Sequence, residues 1–346
     1  MHHAPEILIF FSIVSILFQI GLFLCLGLLS FILTGRIRKY AIDKRYLDVP
    51  NERSLHDHPI PHGGGIAFTS AWYIGITVLY FAGALERNLY LALICGSVVA
   101  VVSLADDIFG LKPIYRLLVH FMAACAVFWL LDGLRPLILP EIHFNYNFIV
   151  YPIAIIGMVW FINLFNFMDG VDGFASVEAI CIALVLFIIS GNTINLLLIS
   201  CVAGFLCWNW PKAKIFMGDV GSTQLGFILV VLGIYFHNHF DFSIINWVML
   251  SSPFWFDATL TLYRRWRNGE KLSEAHRKHA YQRIVQGGYS HKRTIYALMV
   301  VNLAILTLIL IYREIKVLQI PIFIITLLSY YYITLQVDRR VPFTKK

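Results

Sequence analysis

Runs of about 18 to 22 apolar residues recur from end to end of this 346-residue chain, and each is long enough to cross a bilayer as a helix. Hydrophobic residues make up 59% of the sequence and charged residues only 14%, with a mean hydropathy of +0.74. A soluble domain of this length needs more surface charge to stay dispersed. The first run, Glu6 to Thr34, ends without a small-residue cleavage site and is expected to be a retained helix rather than a signal peptide. All six cysteines fall within apolar runs, without metal-type spacing, and read as small buried hydrophobes. The expected class is an all-α integral membrane protein.

Apolar windows give eleven spans, or ten if one drops out: 7–34, 66–82, 88–104, 116–131, 147–164, 174–190, 193–208, 222–237, 243–263, 294–312 and 317–336. The loops 36–65, 105–115, 165–173, 209–221 and 264–293, with the tail and the boundary residue Arg116, hold all but four of the 27 lysines and arginines. Only Arg87, Arg135, Arg313 and Lys316 fall on the other side. By the positive-inside rule the basic face is cytoplasmic, with the N-terminus outside and the C-terminus inside. The net charge of +7 then serves orientation, lipid headgroups and anionic substrates, and calls for no nucleic-acid partner. Without an internal repeat or a soluble domain, residues 1–346 are expected to form one transmembrane unit whose basic-face loops carry the function.

Carboxylates beside apolar spans are costly, so a cluster of them calls for a function or a paired structural role. Asp106-Asp107, Asp169 with Asp172, and Asp219 lie on three separate loops that the orientation brings to one face. Two adjacent carboxylates repel unless a cation intervenes; alone, Asp106-Asp107 fits a helix N-cap with a solvated neighbour equally well. In Asn163-Leu-Phe-Asn-Phe-Met-Asp-Gly-Val-Asp-Gly173, the residues Asn166, Asp169 and Asp172 recur at three-residue spacing. On a helical turn they would share a face. Phe216-Met-Gly-Asp-Val-Gly-Ser222 sets Asp219 between glycines at the start of a span, where backbone N–H groups also welcome phosphate.

Pro59-Ile-Pro-His-Gly-Gly-Gly65 would let backbone approach an anion, but taken alone it reads as a flexible turn. The last long loop offers His276 and His279 at i, i+3, with Arg277 and Arg283 nearby: a pyrophosphate-binding set, or an ordinary basic loop. A third His or Cys for zinc is lacking there. Asp257 falls inside the ninth span and is expected to serve structure, paired with Arg264, Arg265 or Arg116. Oxygen donors beside phosphate-binding turns point to Mg²⁺ or Mn²⁺ and to metal-assisted phosphoryl transfer, and the setting points to a lipid substrate.

In this order and at these positions, Asp106-Asp107, Asn166/Asp169/Asp172, Gly218-Asp219-Val220-Gly221-Ser222 and the histidine loop resemble the polyprenyl-phosphate N-acetylhexosamine-1-phosphate transferase superfamily. The resemblance runs from about residue 45 to 293. Asp257-Ala-Thr-Leu-Thr-Leu-Tyr-Arg-Arg265 and Ala275-His-Arg-Lys-His-Ala-Tyr-Gln-Arg-Ile284 are similar to the O-antigen-initiating branch; the peptidoglycan branch has consecutive histidines here.

The resemblance implies a UDP-N-acetyl sugar donor, undecaprenyl phosphate as acceptor, Mg²⁺, a bacterial inner membrane and a homodimer. It implies that Asp219 and Asn166 ligate the metal, and that Asp106, supported by Asp107, deprotonates or positions the lipid phosphate. Asp169 falls within the matched stretch as a substrate-side residue, Asp172 and Asn209 would hold the nucleotide, and Phe216 would stack on uracil. Arg116 would contact phosphate, and His276, Arg277 and His279 would face the pyrophosphate or sugar. His62 stands where many relatives carry Arg.

Overall fold

The computed structural model describes residues 4–50, 55, 57–139, 142–144, 147–240, 242–272, 274 and 276–344. Parts of the loops 36–65 and 264–293 (51–54, 56, 273 and 275) lie outside the described residues. The chain is built of helices: α1 Ala4–Asp43, α2 Gly65–Phe81, α3 Arg87–Ile94, α4 Gly96–Phe109, α5 Pro113–Leu130, α6 Asn147–Phe167 and α7 Phe174–Ser190. There follow α8 Ile194–Asn209, α9 Asp219–His239, α10 Ile244–Leu250, α11 Ser252–Arg267, α12 Ala280–Gln286, α13 His291–Glu314 and α14 Gln319–Arg340. The described strands form two short antiparallel pairs, β1 Leu47–Asp48 with β2 Ile60–Pro61 and β3 Leu137–Leu139 with β4 Ile142–Phe144.

Among the described residues, seven helical segments are long and apolar enough to span a membrane, and α2, α7 and α8 are shorter apolar helices. These ten coincide with ten of the eleven expected spans. The span 88–104 is divided at Cys95 into α3 and α4, and the stretch 243–263 is two helices, α10 and α11, parted at Ser251 just before Pro253. Proline lacks the N–H that would continue α10 and starts the new helix in its first turn instead. Leu303, Val300, Leu328 and Tyr332 on α13 and α14 are exposed apolar side chains, as expected of surfaces solvated by lipid. The protein is an all-α polytopic membrane protein.

Helix α9 is the centre of the bundle. Its span is 94% buried, whereas no other long span exceeds 33%. A helix buried on every side must satisfy its polar side chains internally. Gln224 accepts from the Tyr73 hydroxyl at 2.7 Å and donates to the Gly96 carbonyl at 2.7 Å, at the joint between α3 and α4. Thr223 shares a 2.9 Å hydrogen bond with Ser103 on α4. Trp247 of α10 donates its indole N–H to the Leu229 carbonyl at 3.1 Å, in the space left by Gly233.

At its start, α9 abuts the start of α2. The N–H of Gly64 donates to the Phe216 carbonyl at 2.9 Å, and that of Gly65 to the Met217 carbonyl at 2.8 Å. A Cβ on Gly65 would lie 2.4 Å from the Gly221 Cα, well inside contact distance. Gly65→Ala therefore forces the two helix starts apart, at a cost of about 1–3 kcal/mol. Thermal unfolding in detergent checks this: the variant should melt below the parent, and equal melting temperatures would contradict the packing.

Candidate active site

The carboxylates sit where helix ends meet, and several of them are on helices rather than loops. Asp106 and Asp107 belong to the last turn of α4, which runs on to Phe109 before Gly110 closes it in the left-handed conformation. They are therefore not at a helix N-cap. Acidic groups at a helix C-terminus meet its partial negative charge, so a cation is needed nearby. Arg116, in the first turns of α5, supplies it. Its Nη1 pairs with Asp106 Oδ2 and also donates to Asp219 Oδ2 at 3.0 Å. One guanidinium thus joins α4, α5 and α9.

Asp107 faces the backbone N–H groups of Asp219 and Val220, the first residues of α9. Its own carbonyl accepts from the Tyr46 hydroxyl at 2.9 Å. Asp219 follows Gly218, whose φ of +81° suits a residue without a side chain. A Cβ there would lie 2.9 Å from the His62 ring. His62 is packed between Tyr46 and this glycine, and burial lowers its pKa against the opposing pull of Asp219 and Asp48. The side chain at position 62 thus covers the Asp219 turn as a neutral imidazole.

Asn166 lies in the last turn of α6 and its Oδ1 accepts from the Ser222 hydroxyl at 2.7 Å. Because α6 stops at Phe167, Asn166, Asp169 and Asp172 do not share a helical face. Asp169 lies in the turn beyond, and burial, then the nearby charges of Asp219 and Asp172, raise its pKa well above the carboxylate range. Asp172 points elsewhere: its Oδ2 accepts from the Ala213 N–H at 3.1 Å and lies 3.1 Å from His291 Nδ1. Buried Asn209 accepts from Gly173 N–H at 2.9 Å and donates to the Ile215 carbonyl at 3.0 Å, tying the 166–173 turn to the 210–218 loop. Phe216 is half-buried in that loop, its N–H donating to the Pro61 carbonyl at 2.8 Å.

The histidine loop is not helical at His276–Lys278, and His279 is the residue before α12. The rings of His276 and His279 lie 4.9 Å apart. Burial, then His279 and Arg265, lower the His276 pKa to about 3, so it is a neutral group at physiological pH. His279 is buried and its Nδ1 lies 3.7 Å from Asp257. Arg277 is half-buried, and its carbonyl accepts from Gln286 at 2.7 Å.

None of the arginines expected to pair with Asp257 does so; its basic neighbour is His279. Its carboxylate instead accepts from the N–H groups of Ala280 and Tyr281 at 2.8 and 3.1 Å, capping α12 from outside. Arg264 pairs with Asp338, and Arg265 with Glu270. Tyr281, which sequence reasoning passed over, couples the loop to the site. Its hydroxyl donates to the Phe167 carbonyl at 3.0 Å and accepts from the Gly170 N–H at 2.9 Å, and its ring stacks on Phe174. Nothing in its spacing distinguishes it from a core aromatic.

The structure therefore brings Asp106, Asp107, Arg116, Asn166, Asp169 and Asp219 to one end of the bundle. Asp172, Asn209, His276 and His279 lie in the loops that frame it. Among the described residues, no group of three or more His, Cys, Asp or Glu side chains is arranged to hold a metal. The Asp219 carboxylate adjoins Asn166, whose amide N–H donates to it while its oxygen accepts from Ser222, and Mg²⁺ is commonly held by one or two protein oxygens with water and substrate phosphate completing the shell. The donor set fits that ion.

Because the pKa of Asp169 is raised on folding, its contribution to stability is full below the ordinary carboxylate pKa and is lost as pH rises through the raised value. Asp169→Asn should therefore gain melting temperature over the parent at neutral pH and little at about pH 4, in metal-free buffer. An equal difference at both pH values would contradict this.

Residues 89–237 match the family model described as Glycosyl transferase family 4. The chain is 28% identical over 290 residues to a Bacillus subtilis protein named probable undecaprenyl-phosphate N-acetylglucosaminyl 1-phosphate transferase, covering 78% of each. It is 26% identical to the decaprenyl-phosphate N-acetylglucosaminephosphotransferase of Mycolicibacterium smegmatis, over 78% of this chain and 76% of that one. A Thermotoga maritima undecaprenyl-phosphate alpha-N-acetylglucosaminyl 1-phosphate transferase is 27% identical, over 75% and 80%. The motifs Asp106-Asp107, Asn166/Asp169/Asp172 and Gly218–Ser222 fall within the matched residues, and with these relatives they support the polyprenyl-phosphate N-acetylhexosamine-1-phosphate transferase superfamily.

Proposed function

We propose that the chain transfers N-acetylhexosamine-1-phosphate from a UDP-sugar to undecaprenyl phosphate, releasing UMP, at the cytoplasmic face of a bacterial inner membrane. The observation that carries this reading is the joint held by Arg116 between Asp106 and Asp219, with Asn166 beside it, at the helix ends that the basic loops share. Relatives named for N-acetylglucosamine make UDP-N-acetylglucosamine the first donor to test. Initiation of O-antigen is the assembly step suggested by the segments around Asp257 and His279.

An apolar cavity of about 380 Å³ between α6, α9, α10 and α11 supports a lipid acceptor. It follows Leu164, Phe161, Gly157 and Ala154 along α6, starting half a turn from Asn166. We assign this cavity to the polyprenyl chain of the acceptor, which would run along α6 toward the end of the bundle that holds the carboxylates.

In the reaction we infer, an oxygen of the lipid phosphate attacks the β-phosphorus of the UDP-sugar, the pyrophosphate bond breaks and UMP departs. Asp106 takes or orients the proton of the attacking phosphate, and Arg116 holds Asp106 in place while offering its charge to phosphate oxygen. Asp107 fixes the start of α9, and so the position of Asp219. Asp219 and Asn166 would hold Mg²⁺, whose charge would offset that of the pyrophosphate. Asn209 and Asp172 keep the two flanking loops in register for the nucleotide. The rest is positioning and fixed charge, as phosphoryl transfer requires.

The test is UMP release by purified protein given undecaprenyl phosphate, Mg²⁺ and a panel of UDP-N-acetyl sugars. Release should need lipid and metal and stop with chelator, and Asp219→Ala should lower it about a hundredfold or more. Folded protein that releases no UMP with any sugar would overturn the reading.

A further inference from the structure

A second cavity, of about 600 Å³, lies between α11, α12, α13 and α14, within the size range of ligand pockets. None of Asp106, Asp107, Arg116, Asn166 and Asp219 lines it; Met168, from the 166–173 turn, Phe174 and Tyr281 form its wall on that side. Its body is apolar, with Phe256, Ala297, Val301, Ile333 and Val337 among its walls. Arg293, in the first turn of α13, and Arg340, the last residue of α14, line the same end of it. Both are exposed, and Arg340 Nη1 donates to the Tyr289 hydroxyl at 2.5 Å.

The carboxylates nearest this end are already engaged. Asp257, on the wall, takes the N–H groups of α12, and Asp338 takes Arg264 and Arg283. The mouth therefore presents net positive charge. From Arg293 to Val301 along α13 is about 12 Å, and from Arg340 to Tyr330 along α14 about 15 Å, at 1.5 Å per residue. A charged end above an apolar slot of this depth, between helices whose outer faces are lipid-exposed, matches the layout of a membrane lipid at the bilayer surface. Basic pockets between membrane helices bind anionic headgroups in this way.

We infer that this cavity is a binding site for an anionic glycerophospholipid of the surrounding membrane, with its phosphate on Arg293 and Arg340 and an acyl chain between α11, α13 and α14. It is separate from the cavity along α6 that we assign to the acceptor, and a phosphate held here is not the one that reacts. Because Asp257, Tyr281 and Arg283 line it, the lipid would brace the histidine loop from behind.

The experiment is native mass spectrometry of the full chain, delipidated and titrated with phosphatidylglycerol, phosphatidylcholine or undecaprenyl phosphate. Parent is compared with Arg293→Ala/Arg340→Ala and with the slot-filling Ala297→Trp; monodisperse elution and an unchanged lipid-free melting temperature certify folding. Phosphatidylglycerol should bind the parent more tightly than phosphatidylcholine, and the double variant should weaken it about twenty-five-fold, about fivefold per arginine. Ala297→Trp should weaken both phospholipids, and undecaprenyl phosphate binding should be unchanged in the double variant. Equal binding of the two phospholipids, or phosphatidylglycerol binding indifferent to both variants, would overturn the proposal. So would loss of undecaprenyl phosphate in the double variant, which would make the cavity the acceptor's, or a disulfide between two copies through Ala297→Cys, which would put a second chain over it. This outcome is independent of whether the protein releases UMP.

Discussion

The contact on which the site depends is that of one arginine with two carboxylates. Asp106 and Asp107 end a helix whose C-terminal dipole disfavours them, and Asp219 stands opposite. Without a cation the three would repel, and α4 and α9 could not close at this end. Arg116 is placed to prevent this by Pro113, which starts α5 three residues after Gly110 ends α4. The planar guanidinium can serve two acceptors at fixed angles, which a lysine cannot do with the same geometry. The same arrangement leaves more acid than base in the cluster, so that an added cation and phosphate groups can be accommodated together.

Around that joint the backbone does the positioning. The glycines Gly65 and Gly221 let α2 and α9 meet at contact distance, and Gly64 and Gly65 donate to the strand of chain just before Asp219. Asn209 and Asp172 fasten the neighbouring loops, and Tyr281 fastens the 166–173 turn to α12. Since α9 is buried almost throughout, its first residue cannot shift without disturbing Gln224 and Thr223 and their partners on α2 and α4. Catalytic groups at the end of a rigid central helix are held more closely than groups on a loop would be.

Much of this could be read from the residues in order. Spans are local properties of hydropathy, so ten of eleven coincide with apolar helices, and the shared face of Asp106, Asp169 and Asp219 followed from alternating loops. Helix ends were less legible. The charges of Asp106, Asp107 and Arg116 lower the hydropathy that marks a span, though the helices run through them, and the apolar stretch 243–263 conceals the break at Ser251. Side-chain partners were least legible. Asp257 was expected to seek an arginine, yet His279 and the N–H groups of a nearby helix start meet it instead. Tyr281 acts through a contact with residues more than a hundred positions away, which no local pattern records.

The central claim, that Arg116 holds α4 and α9 together through Asp106 and Asp219, is most directly tested by a double-mutant cycle on stability. Arg116→Ala, Asp219→Ala and the double variant would be unfolded reversibly in detergent micelles. If the arginine makes the joint, the two substitutions couple by at least about 1 kcal/mol, because each removes the partner the other needs. Losses that add within about 0.5 kcal/mol would mean that the two side chains act independently, and the account of the site would be wrong.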